Sequence, residues 1–273
     1  MTPFERLRYL ARSGGSDAAV VEEAADCLAG FADDPAGLVV ACRRLLAHHP
    51  EIGPLWWLCA RVLTAPDPGE AAWKAWERVH DDPTAERAAE RLPFPADAPV
   101  AVLGSPELVA TIAATRPDLD LVAVRGHGTG DHARARRARR ADPTVAPIRI
   151  VDPVEASALA PSHVLLVPRA LSPQMIAVTP GTGSSLDDLG DGTARWLVGG
   201  AGRVLPDRLF DAFVRAAGAP RPGAGGGGSE ATIELVAPER FERVVVATGL
   251  EHPSGLARRV DCPAAPELLR PAG

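Results

Sequence analysis

Residues 178–188 read VTPGTGSSLDD. Gly181, Thr182, Gly183, Ser184 and Ser185 lie between an apolar run and a stretch that opens a helix. Free backbone N–H groups and hydroxyls at such a place suit an oxyanion, above all a phosphate. The turn is not a P-loop, because no lysine follows, and Leu186 breaks a G-x-G-x-x-G match. Asp187, Asp188 and Asp191 bring negative charge close by, and acids in a first helical turn satisfy the dipole themselves. The residues alone leave two readings open, a phosphate cradle and a plain tight corner.

Two further turns carry the same chemistry. Gly104-Ser105-Pro106 follows an apolar strand, and Gly199-Gly200-Ala201-Gly202-Arg203 follows another. Glycine lets a ligand approach the backbone, and Arg203 supplies a fork for a phosphate. His127 lies near a third strand end. His127, Asp131 and His132 lack metal-ligand spacing, so no metal is expected. The run Arg134, Arg136, Arg137, Arg139 and Arg140 spreads over more than one helical face and reads as solvated.

The elements that must position these turns divide in two. Residues 2–92 read as helices, each with a start signal. These are Thr2-Pro3-Phe4-Glu5, Ser16, Asp34-Pro35, Gly53-Pro54, Asp67-Pro68-Gly69-Glu70 and Asp82-Pro83. The proline-rich LPFPADAP at 92–99 is a linker. Beyond it, apolar strands are expected near 100–104, 119–124, 146–151, 163–167 and 196–199. Helices capped by Ser105 and Asp152 alternate with them. Such alternation implies an α/β fold whose parallel sheet is covered on both faces. The division expected is a helical domain at 1–95 and a Rossmann-like domain at 96–273, with a flexible Gly-rich segment at 218–229.

A chain of 273 residues, 46% hydrophobic, can bury a large core. Its formal charge of −6 argues against a nucleic-acid partner. Cys27, Cys42, Cys59 and Cys262 form no zinc pattern and read as small buried hydrophobes in a reducing compartment. The charged N-terminus lacks a signal-peptide core, and no run reaches a membrane span. The expectation is a cytoplasmic protein with no membrane partner and no cofactor.

The order of elements from 100 to 260 resembles the superfamily of sugar-phosphate isomerases and initiation factor two-B regulatory subunits. VAVLGSPELVATIAA, LDLVAVRGHGTGDHARARRAR, PIRIVDPVEASAL and HVLLVPRALSPQMIAVTPGTGSSL follow that family's strands and turns in order. APERFERVVVATGLEHPSGL is similar to its terminal segment. The resemblance implies a helical domain followed by a Rossmann-like domain. It also implies dimerisation through the latter, hence a homodimer. It implies a phosphorylated sugar or nucleotide held by Gly104, Ser105, His127, Gly181, Thr182, Gly183, Ser184 and Arg203.

The departures bear on activity. The isomerases place an acid/base aspartate after the fourth strand, and here that position is Ala170. Their Asn-Lys before the Gly-Thr pair is Val178-Thr179, their cysteine turn is Gly104-Ser105-Pro106, and their Arg-Pro is His127-Gly128. Isomerising an aldose requires one group to remove a proton and another to return it. Ala170 and Val178 do neither. The resulting expectation is a non-catalytic, regulatory ligand binder with no catalytic residue; the alternative is a divergent isomerase. HHPEIGPLWWLCARVLTAPDPGEAAWKAWERVHDDP also has the pattern of one tetratricopeptide pair, which would make the helical half a protein-interaction module.

Overall fold

Capping side chains set the start of most helices. The computed structural model describes residues 16–92, 99–125, 149–190, 192–218 and 232–269. The Thr2–Glu5 cap, His127, the arginine run at 134–140 and the 219–229 part of the Gly-rich stretch lie outside them. Ser16 Oγ accepts from Ala19 N to open α1 (Asp17–Ala29). Asp34 caps α2 (Pro35–His48) through Gly37 N at 2.9 Å. Gly53-Pro54 opens α3 (Gly53–Thr64) without a side-chain cap. Asp67 caps α4 (Pro68–His80) through Glu70 N, also at 2.9 Å. Helix α5 (Thr84–Arg91) follows after two residues and a proline. Each such cap contributes about 1 kcal/mol by satisfying a terminal N–H.

The second half builds β1 (Pro99–Leu103), α6 (Pro106–Thr115), β2 (Asp120–Val124), β3 (Arg149–Val151), α7 (Pro153–Ala158) and β4 (His163–Leu166). Then come β5 (Ala170–Leu171), β6 (Ile176–Val178), α8 (Thr182–Asp188), β7 (Ala194–Val198) and α9 (Asp207–Ala216). Strands β8 (Glu234–Val236), β9 (Arg243–Val246) and β10 (Gly249–Glu251) precede two 3-10 turns at Pro253–Arg259 and Pro266–Leu268. The main sheet runs β10-β9-β7-β4-β1-β2-β3 and is parallel except for β10. All five expected strands lie in it. A small antiparallel sheet, β5-β6-β8, packs beside it.

The inner strands of the main sheet are covered on both faces, which explains their apolar runs, whereas Arg149 and Ile150 of the edge strand β3 are exposed. Val100 and Val102 of β1 face Leu108 and Ile112 of α6 and Ala88 and Ala89 of α5. Ala101 and Leu103 face the other way, into a core shared with Leu186 of α8, Ile176 of β6 and Leu256. Leu165 against Val164 and Leu166, and Val245 against Val244 and Val246, split between the same faces. This is the two-residue period of a strand with two buried sides.

The cores do not divide at residue 95. Helix α5 packs on the sheet with Leu92, not with the α1–α4 bundle. The bundle core instead takes in Phe213 of α9, Ala170, Ala177, Ile233, and Cys262, Ala265 and Leu268 from the chain's last described stretch. That stretch is tied to the bundle by polar contacts too. Trp57 Nε1 donates to Asp261, and Arg43 donates to the Glu267 carbonyl. The tetratricopeptide-like pair α3–α4 is therefore a wall of this core, and Trp57 is fully buried in it.

Candidate functional site

In a parallel sheet all strand carboxyl ends point the same way, and ligands of such folds bind there. Three segments meet at that edge: Gly104-Ser105 after β1, Val167–Arg169 after β4 and Gly199–Arg203 after β7. Leu103, Leu166 and Leu197 are in register at its base.

Gly104 adopts φ +89°, and a Cβ on it would lie 2.3 Å from the Val167 carbonyl oxygen. Its glycine character lets the ends of the paired strands β1 and β4 lie close together. Ser105 caps α6, accepting from Leu108 N at 3.3 Å. Arg203 is drawn to the same place from the other side: Nη1 donates to the Pro168 carbonyl at 2.6 Å. Its Nη2 donates to Asp17 Oδ2 at 3.0 Å. Arg169 reaches the same carboxylate, with 3.7 Å between Nη1 and Oδ1. Arg203 is thus not the open phosphate fork expected from its place after β7. It is a bridge to the first turn of α1.

The turn at 199–203 is covered from the bundle side. Asp82 Oδ2 accepts from Ala201 N at 2.7 Å, while its Oδ1 accepts from Thr84 N and Thr84 Oγ1. A Cβ on Gly200 would stand 2.6 Å from Asp82 Oδ2. A Cβ on Gly202, at φ +73°, would press on Trp57 and Pro54. The glycines admit the bundle's own side chains to the backbone.

The Gly181–Ser185 turn forms a separate constellation. Gly181 takes the left-handed conformation, φ +81°, and caps α8. Thr182 is buried and donates to the Thr179 carbonyl at 2.6 Å. Ser184 and Ser185 both donate back to the Gly181 carbonyl. Gly183 N donates to Glu234 Oε2 at 3.3 Å, and a Cβ there would fall 2.2 Å from Oε1. Arg240 closes the group through Asp187. The hydroxyls that were to hold phosphate hold the turn, and the amide faces a carboxylate. The partners of this turn are Thr179, Glu234 and Arg240, whereas those of Arg203 are Asp17 and Pro168, so the expected single cleft is two sites.

Between the α4–α5 corner and the ends of β7 and β9 lies an open cleft of 580 Å³. Its walls include Lys74, Arg78, Asp82, Gly200, Ala201 and Arg258. Arg78 pairs with Asp261 at 2.7 Å, and both Arg61 and Arg78 lie over the Trp57 ring. Lys74 stays cationic, held up by Glu70. Cys262, next to Asp261, is no nucleophile: burial, reinforced by the Asp261 charge, pushes its thiol up to about 12. Sequence reasoning missed this cleft because Lys74 and Arg78 of α4 meet Arg258 and the loop after β7 only in the folded chain. Among the described residues no group of three His, Cys, Asp or Glu side chains could hold a metal, and no helix is long and apolar enough to cross a membrane.

A helical layer closing over the strand ends of a mostly parallel sheet defines a known class of fold, that of initiation factor eIF-2B subunits and 5-methylthioribose 1-phosphate isomerase. The Pyrococcus horikoshii OT3 translation initiation factor eIF-2B superposes with a TM-score of 0.68 at 9% identity, over 92% of this chain and 97% of that one. The 5-methylthioribose 1-phosphate isomerase of the same organism gives 0.63 at 12%, covering 94% and 86%. A chain of the tetrameric eIF2B-beta2-delta2 complex from C. thermophilum gives 0.63 at 11%, covering 94% and 92%. At such identities the likeness is one of fold. No protein-family model and no curated protein matches the sequence.

Proposed function

We propose that this protein is a non-catalytic, regulatory member of the eIF-2B and isomerase fold class. It binds a phosphorylated sugar or nucleotide and works as a cytoplasmic homodimer. The observation that carries the reading is the segment that follows β4, at the start of β5. Ala170, where the resemblance puts the isomerases' acid/base aspartate, is fully buried. Helix α3 covers it: a Cβ on Gly53 would stand 2.3 Å from the Arg169 carbonyl oxygen and 3.0 Å from the Ala170 methyl. A substrate has neither a proton-transfer group nor an approach there.

The phosphate seat is the 580 Å³ cleft, a volume typical of small-ligand sites. Lys74 and Arg78 from α4 and Arg258 from the 3-10 turn supply charge, and the Gly200–Ala201 backbone supplies amides, the Gly199 N–H being held by the Val245 carbonyl. Titration calorimetry with ribose 5-phosphate and AMP, paired with an isomerase assay on ribose 1-phosphates, tests the reading. Saturable binding without turnover is expected. Turnover removes the non-catalytic reading, and absence of binding by every phosphate probe removes the ligand. Light scattering tests the homodimer, which a monomer mass over a wide concentration range overturns.

A further inference from the structure

Among the described residues, three donors in turns expected to hold phosphate are met by a carboxylate: Arg203 by Asp17, Gly183 N by Glu234, and Ala201 N by Asp82. Only one of these contacts opens on the cleft. Asp82 and Ala201 both line it, whereas Asp17, Arg203, Glu234 and Gly183 do not. Asp82 is also placed to report on what happens there. It lies in the short connection between α4, whose Ala72 and Ala75 belong to the bundle core, and α5, whose Ala88 and Ala89 belong to the sheet core. One oxygen holds the start of α5 through Thr84, and the other holds the loop after β7.

The geometry points to Asp82 as an internal stand-in for the ligand's phosphoryl group, a latch that the ligand displaces. This inference rests on the phosphate reading of the cleft and says how binding leaves the site. A phosphoryl oxygen and a carboxylate oxygen ask the same thing of the Ala201 amide, a short charge-assisted hydrogen bond. Asp82 Oδ2 lies tight against this backbone, where a Cβ on Gly200 would stand 2.6 Å away, and the single Ala201 N–H makes one strong hydrogen bond. Two anions on one amide also repel each other. Ligand entry therefore moves Asp82 off the loop, and the α4–α5 corner loses its tie to β7. The cleft walls also carry Glu77, Asp81 and Asp261, with Lys74 paired to Glu70 and Arg78 to Asp261, so Arg258 is the cation that meets the incoming charge. By linkage, whatever holds the corner closed weakens ligand binding by the same factor.

The test compares the full-length parent with Asp82→Asn and Asp82→Ala. Asparagine keeps the Thr84 cap if alanine destabilises the corner. Calorimetry with ribose 5-phosphate gives affinity, and hydrogen exchange of residues 81–86 and 200–203 gives the state of the latch. A latch closed most of the time lowers apparent affinity by the fraction open, so both variants should bind about tenfold tighter. In the parent, ligand should speed exchange in 81–86; in the variants that segment should exchange fast without ligand and not respond to it. If the parent binds and the variants bind no tighter, the latch is overturned and the cleft reading stands. If neither parent nor variants bind ribose 5-phosphate, inorganic phosphate or AMP, the cleft reading falls and the latch falls with it.

Discussion

Replacing Arg203 by methionine separates the role read from its sequence position from the role read from its contacts. The substitution keeps the stem and removes the guanidinium. It deletes the bonds to Asp17 at 3.0 Å and to the Pro168 carbonyl at 2.6 Å. Hydrogen bonds to charged groups contribute about 1.5–3 kcal/mol each. Asp17 keeps Arg169, but its side chain is only 14% exposed and cannot recover much hydration. Breaking one partner of a largely buried pair costs about 3–5 kcal/mol, and the remaining Arg169 contact reduces this to roughly 2–4. Each kcal/mol lowers Tm by about 2–4 °C in a chain of this size. Differential scanning calorimetry should therefore find Tm lower by roughly 5–15 °C. Asp17→Asn should cost a similar amount, and the double variant less than the sum, with a coupling of about 1–3 kcal/mol. Phosphate affinity should hardly change. An unchanged melting point together with a tenfold loss of ribose 5-phosphate affinity would refute this reasoning and make Arg203 a ligand partner.

Gly104→Ala should destabilise by about 2–4 kcal/mol in urea titrations, because the positive φ strain comes with a clash on the Val167 carbonyl. Gly190→Ala, at φ +80° with no atom within 4 Å, should cost only about 1–2 kcal/mol. Arg258→Ala should weaken ribose 5-phosphate binding roughly ten- to a hundred-fold in calorimetry, with Tm unchanged, since the side chain is exposed on the cleft wall. Cys262 should resist iodoacetamide at pH 8 until denaturant is added. Because its folded pKa is raised from 9.0 to about 12, its stability contribution is whole below pH 9 and is lost as pH rises toward 12, so parent and Cys262→Ala should converge in alkali.

The sequence alone determined the local structure. Ser16, Asp34, Asp67, Ser105 and Asp152 each cap the helix they precede, because a cap needs only a side-chain oxygen and an N–H three residues on. The five strands from β1 to β4 and β7 announced themselves by apolar residues on both faces. The small sheet did not, since β5, β6 and β8 are two or three residues long and carry no period. Nor did the packing of α5 on the sheet, or of the last described stretch on the bundle. The sequence marks the glycine turns as candidate phosphate seats; the structure shows protein carboxylates at two of them, on Gly183 N and Ala201 N. What approaches was decided by tertiary structure: Glu234, Asp82 and Asp17 lie 51, 119 and 186 residues from the donors they meet. A glycine turn and an arginine make the same demand on any anion, and local sequence has no means of telling a ligand's phosphate from a carboxylate that the fold itself brings in.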